Sequence, residues 1–108
     1  MRISEVTDEA IIFDNGNKIT FDHDQDCCES NYADFESAVT PNTLNYDYDF
    51  SPELLFGFVK EEGFLFGNPG HLIFVPCYSE QNGYYSIDID IYYNGDQVLH
   101  GECHEEVY

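Results

Sequence analysis

The chain of 108 residues carries 22 acidic side chains against three basic ones, Arg2, Lys18 and Lys60, a formal net charge of −19. This excludes direct nucleic-acid binding, which needs Lys and Arg, and adhesion to anionic lipid. Nine Phe and nine Tyr exclude an acidic disordered tail, which is poor in aromatics, so one acidic β-rich domain over residues 1–108 is expected.

Alternation with the strand period of two dominates the chain. Apolar segments flank Asn15-Gly16, a strong hairpin signal, which predicts strands at residues 9–13 and 18–23. Residues 27–39 read equally as a short helix or a third strand. Residues 40–52 hold Pro at 41 and 52 and are loop-like, although Tyr46, Tyr48 and Phe50 alternate with Asp47 and Asp49 as in a short edge strand. Pro69-Gly70 turns into a strand at Leu72–Tyr78, which Pro76 would confine to an edge or a bulge. Asn82-Gly83 opens the clearest strand, Tyr84–Tyr93. Its Ile87, Ile89 and Ile91 share one face with Tyr85 and Tyr93. Tyr84, Ser86, Asp88, Asp90 and Tyr92 share the other. Asn94-Gly95 turns into a final strand beginning at Gln97–His100. The expected fold is mainly β (or α+β): a small antiparallel sheet of hairpins with at most one or two short helices. No apolar stretch reaches membrane-spanning length and no leader pattern opens the chain, so a bacterial cytoplasmic location is expected.

The strings His23-Asp-Gln-Asp-Cys-Cys-Glu29, Asn15-Gly-Asn-Lys18 and Glu80-Gln-Asn-Gly-Tyr-Tyr-Ser86 resemble those of a family of small uncharacterised proteins of bacteria and their phages. The resemblance covers roughly residues 9–36 and 78–92. It implies a β-rich domain and a phage or mobile-element context, and it carries no activity.

Four constellations hold chemistry. The first is the acidic surface. Asp22, Asp24 and Asp26, then Asp47 and Asp49, then Asp88 and Asp90 occupy alternate positions. On a strand this repeats a carboxylate about every 6.7 Å. One strand of B-DNA carries a charge about every 3.4 Å along the helix axis, so two adjacent acidic strands are needed to match it. Glu29 extends the first set. Tyr84, Tyr92, Tyr46 and Tyr48 are candidate interface anchors. The second constellation is a zinc set, His23, Cys27 and Cys28 with His100, Cys103 and His104, since zinc favours tetrahedral Cys and His ligands. No C-x-x-C pair supports it, and Cys28 reads equally as a small buried hydrophobe.

The third is Asp22, Asp24, Asp26 and Glu29, which open like a calcium loop. It then fails, with Cys27 where that loop needs Gly and Ala33 where it needs Glu. The fourth is a thiol–imidazole pair of Cys27 or Cys28 with His23 or His104, disfavoured because neighbouring carboxylates oppose the thiolate. The expectation is a non-enzymatic inhibitor from a phage or mobile element, of anti-CRISPR or anti-restriction type. It would mimic nucleic acid and bind a basic nucleic-acid-binding protein, with no cofactor and no membrane. The alternative is a small zinc-stabilised domain. Oligomeric state is left open.

Overall fold

A computed structural model describes residues 1–22, 30–39, 44–81 and 88–107 of the protein. In chain order its elements are β1 (Ile3–Val6), β2 (Ala10–Phe13), β3 (Lys18–Asp22), β4 (Ser30–Ala33), α1 (Phe35–Val39), α2 (Leu44–Asp47) and β5 (Leu55–Val59). They continue with β6 (Gly63–Asn68), β7 (His71–Gln81), β8 (Asp88–Tyr93), β9 (Asp96–Glu102) and β10 (His104–Val107). The fold is mainly β, as expected, with two short helices among the described residues. No helix among the described residues is long and apolar enough to cross a membrane.

The first sheet runs β1-β2-β3-β8-β9, antiparallel throughout. Both predicted Asn-Gly turns within the described residues close hairpins here. At the first, Gly16 donates its N–H to the Phe13 carbonyl at 3.0 Å and takes φ 90, a region open to glycine. At the second, Asn94 and Gly95 both have positive φ, 53 and 86. Two left-handed residues make the turn whose twist matches flanking strands.

The second sheet runs β10-β7-β6-β5, with β4 also paired to β7. The edge expected at Pro76 holds for the first half of β7, whose one partner strand among the described residues is β6, and fails for the second half, which is flanked on both sides. The first half pairs with β6 up to Gly63↔Pro76. The second half lies between β4, antiparallel, and β10, parallel. Pro76 sits where the partners change. It has no N–H to donate, and its carbonyl accepts the Asp34 N–H at 2.8 Å.

The ambiguous residues 27–39 contain a strand and then a helix, β4 and α1; Cys27 to Glu29 lie outside the described residues. The short edge strand expected across Tyr46–Phe50 is absent. Residues 44–47 form α2 and the chain then runs on without a ladder. Its aromatics go inward instead. Tyr48 stacks on His71 with centroids 3.8 Å apart and planes at 6°, and meets Phe50 edge-on at 4.6 Å.

The core joins the inner faces of the two sheets. Ile11, Phe13, Ile19, Ile89 and Ile91 come from the first; Phe64, Phe66, Ile73, Val75 and Cys77 come from the second. Two rings from the connections bridge them. Phe50 lies 5.8 Å from Phe13 and 6.1 Å from Phe66. Phe35 lies 5.9 Å from Phe21 and 6.4 Å from Phe64. Each buried Phe contributes on the order of 1.5–3 kcal/mol. One polar tie crosses the core: buried Asn31 on β4 donates its amide to the Asp88 carbonyl on β8 at 3.0 Å and accepts the Ser79 hydroxyl.

The two outer faces differ in kind. The register rows Leu55–Gly67–Leu72 and Gly57–Leu65–Phe74 of the second sheet carry no charge. The outer face of the first sheet carries the carboxylates described next.

Candidate partner-binding face

Strand β8 alternates as predicted. Ile89 and Ile91 are buried in the core, while Asp88 and Asp90 are partly exposed on the outer face. Its neighbours make that face an acidic patch. Asp90 stands in register with Asp22 of β3 on one side. On the other it faces His100 of β9, and Asp88 faces Glu102. Directly opposed residues on neighbouring strands have Cβ atoms about 4.5–5.5 Å apart, and like charges so placed repel. The carboxylates of Asp22, Asp88, Asp90 and Glu102 therefore form a two-dimensional array across three strands. Tyr92 continues the same face beyond Asp90 and pairs with Thr20 and Gln97.

One titratable base is set inside this array. His100 Nδ1 lies 2.6 Å from Asp90 Oδ1, and Gln97 donates its amide to the same oxygen at 3.3 Å. The His100 pKa is raised, chiefly by the Asp90 hydrogen bond. A smaller desolvation effect opposes this, and the charges of Asp90, Asp88 and Glu102 add to it. The ring is exposed, so it contributes little to stability. Its effect is to lower the charge of the patch by one when protonated.

The patch borders a cleft of about 320 Å³ lined by Phe58, Lys60, Asp88, His100, Gly101 and Glu102. Here the first sheet meets β5 and the β5–β6 turn. The Phe58 ring lies over Gly101, so close that a Cβ there would sit 2.4 Å from it. Glu61, at φ 61, donates its N–H to the Glu102 carbonyl at 3.2 Å. These contacts set the position of the β9 end that carries Glu102.

The structure brings Asp22, Asp88, Asp90 and Tyr92 onto one face, and it separates Asp47 and Asp49 from them. The expected alternate-strand spacing of that pair fails because Asp47 ends α2 and Asp49 follows in irregular chain. Asp49 accepts from the Met1 ammonium at 2.7 Å, which lowers its pKa. That is the β1 edge, with β2 and β3 between it and β8. Tyr46 and Tyr48 are partly buried and pack against the core. Asp24, Asp26, Glu29, Tyr84, His23, Cys27 and Cys28 lie outside the described residues.

The C-terminal half of the expected zinc set is dispersed. His100 is on the outer face with Asp90. Cys103 is fully buried, and His104 meets Tyr78 edge-on at 6.3 Å. Burial, aided by the Asp88 charge, pushes the Cys103 thiol up to about 12. Cys77 is raised further, by burial first and Cys103 second. Among the described residues, no group of three or more His, Cys, Asp or Glu could hold a metal ion. Sequence reasoning missed Glu102, Lys60 and Phe58, and it placed His100 with the metal ligands. The signal for Glu102 was its position two residues beyond His100, on the same strand face.

Residues 1–91 match the model of a family described as a domain of unknown function, DUF7448. No curated protein and no solved structure matches the chain.

Proposed function

Because the chain belongs to the DUF7448 family, whose description names no activity, we propose its function from its own surface: a non-enzymatic inhibitor that mimics nucleic acid and occupies a basic nucleic-acid-binding protein. The observation that carries this reading is the in-register placement of Asp22 beside Asp90 and Asp88 beside Glu102 in a chain of net charge −19. A single acidic strand has about half the linear charge density of a DNA strand; adjacent acidic strands make up the difference. Carboxylates on a rigid sheet are fixed before binding, so less side-chain entropy is lost when Arg and Lys engage them. Such a field also steers a cationic partner toward the face. The resemblance of residues 23–29 and 80–86 to small proteins of bacteria and their phages supports a setting in which the target is a host defence enzyme of CRISPR or restriction type.

The test is capture of a basic protein from bacterial lysate by the immobilised chain, with and without competing DNA or RNA. Binding weakens steeply with salt, and nucleic acid displaces the partner. Asp88→Lys with Asp90→Lys removes two charge-assisted contacts of about 1.5–3 kcal/mol each, a loss of at least about 100-fold. Asp8→Lys with Glu9→Lys, the same charge change in the exposed β1–β2 turn, costs far less. Equal losses from both reversals, or a partner that nucleic acid cannot displace, would reject the reading.

A further inference from the structure

We propose that Cys77 and Cys103 are a disulfide pair, closed when the chain folds in the presence of a low-molecular-weight disulfide, and that the bond ties strand β10 covalently to β7. In the structure both are free thiols, fully buried. Strand β10 pairs with β7 in parallel from His104↔Tyr78 onward. One residue earlier in that register, Cys103 comes beside Cys77. Neighbouring strands lie about 4.8 Å apart, and bridged cysteines have Cα atoms about 4.4–6.8 Å apart. The facing also suits a bond. Residues directly beside one another on parallel strands point to the same face. Tyr78 and His104 meet edge-on at 6.3 Å, with His104 exposed, so the residues before them turn to the inner face. There Cys77 and Cys103 belong to one core cluster. The Cys103 charge adds to the effect of burial on Cys77, so the two sulfurs stand within electrostatic reach.

The exchange belongs to the folding chain, not to the finished fold. Thiolates, not thiols, attack disulfides, and burial holds both native thiols protonated. Before β10 docks, both cysteines are open to solvent. The thiolate of one attacks the small disulfide, joins one of its sulfurs and releases the other as a small thiol. As β10 settles on β7, the second cysteine loses its proton to solvent and attacks the protein sulfur of that mixed disulfide. The bond between the two cysteines forms, and a second small thiol leaves. Two protein thiols are oxidised by two electrons, and one small disulfide is reduced to two thiols. The bond matters most for β10. That strand has four residues and one partner strand among the described residues, β7, so without the bond it is free to open locally. Glu102 directly precedes Cys103, and the bond fixes the β9 end that carries it. The inference does not rest on what the acidic face binds.

Oxidative refolding tests it. The full chain, denatured and reduced, is refolded either with a mixture of oxidised and reduced glutathione or with reduced glutathione alone. Remaining thiols are then alkylated in denaturant. After oxidative refolding, peptide mapping without reduction should join Cys77 to Cys103 and find Cys27 and Cys28 alkylated. The joined pair should weigh about 2 Da less than the two reduced peptides, the mass of the two hydrogens lost. The oxidised protein should melt at least about 8 °C above the reduced one. A chain with Cys27→Ser and Cys28→Ser should still close the bond, and adding Cys103→Ala should abolish both the bond and the gain in Tm. Should that variant fail to fold by circular dichroism, Cys77→Ala takes its place. Four alkylated cysteines after oxidative refolding, a bond from Cys27 or Cys28 to either buried cysteine, or an oxidised form that melts no higher than the reduced one would each overturn the proposal.

Discussion

Substituting Gly101 probes the contact that sets the cleft beside the acidic patch. A Cβ on Gly101 would stand 2.4, 2.5 and 2.6 Å from three carbons of the Phe58 ring. Carbon atoms pack at about 3.5–4.0 Å, so in Gly101→Ala the ring must retreat by more than about 1 Å. Overpacking of this kind costs about 1–3 kcal/mol. Alanine also restricts the unfolded chain, which returns about 0.4–1 kcal/mol. The expected net loss is about 1–2 kcal/mol, or roughly 4–15 °C in Tm for a domain of this size. A double-mutant cycle with Phe58→Ala isolates the cause. With the ring gone the methyl meets open space, so Gly101→Ala should become neutral or slightly stabilising, a coupling of about 1.5–3 kcal/mol. Thermal unfolding of the four proteins by circular dichroism measures it. If Gly101→Ala costs the same in both backgrounds, the ring does not hold β9 against β5, and the position of Glu102 has another cause.

Three further outcomes are expected. Raising salt from a few millimolar to half-molar should stabilise the domain by about 1 kcal/mol, roughly 4–8 °C, because screening relieves the in-register carboxylates; a Tm indifferent to salt would mean their charge is already compensated. Cys77 and Cys103 are buried, with thiols held high by that burial, so iodoacetamide at pH 8 should label neither until denaturant is added, as read by peptide mass spectrometry. Asn31→Ala should cost about 1–3 kcal/mol, since it leaves the Asp88 carbonyl and the Ser79 hydroxyl without its amide, and a loss near zero would remove this tie between the sheets.

The hairpins were legible because Asn-Gly turns act locally. The two faces of β8 were legible because Ile89 and Ile91 alternate with Asp88 and Asp90. Strands β5 and β6 were not: Leu55-Phe-Gly-Phe-Val59 and Gly63-Phe-Leu-Phe-Gly-Asn68 are apolar on both faces and show no alternation. Their outward Leu and inward Phe separate only once the register is known. Tyr46 to Phe50 misled for the converse reason. Alternating aromatics and aspartates imitate a strand, yet here the aromatics fill the space between sheets and Asp49 meets the Met1 ammonium. Pro76 reads as an edge residue under any local rule, because the change of partners along β7 that accommodates it is non-local. The same holds for the acidic patch. Alternation was visible within each strand. The pairing of Asp22 with Asp90, and of Asp90 with His100, depends on contacts between residues distant in sequence.

That pairing makes the acidic face sensitive to pH through one residue. His100 is surrounded by Asp90, Asp88 and Glu102, with Gln97 on the same carboxylate and Lys60 across the cleft. Its pKa is raised from 6.5 by Asp90 before all else. A histidine raised on folding contributes its stability in full below its unfolded pKa, and loses it as pH rises through the folded value. For an exposed ring this contribution is small. For binding the sign is opposite. While His100 is protonated it competes for Asp90 with any Arg or Lys of a partner. Once it loses its proton, the patch gains one unit of negative charge and Asp90 is left with neutral donors alone. Affinity for a basic partner should therefore increase as pH climbs through the raised pKa. His100→Gln, which cannot take up a proton, should flatten the profile at the high-pH affinity. Titration calorimetry or surface plasmon resonance from pH 6 to 9 would show the two curves merging at the alkaline end. A wild-type profile parallel to that of the variant would mean that Asp90 does not contact the partner, and the centre of the binding face would move to Asp88 and Glu102.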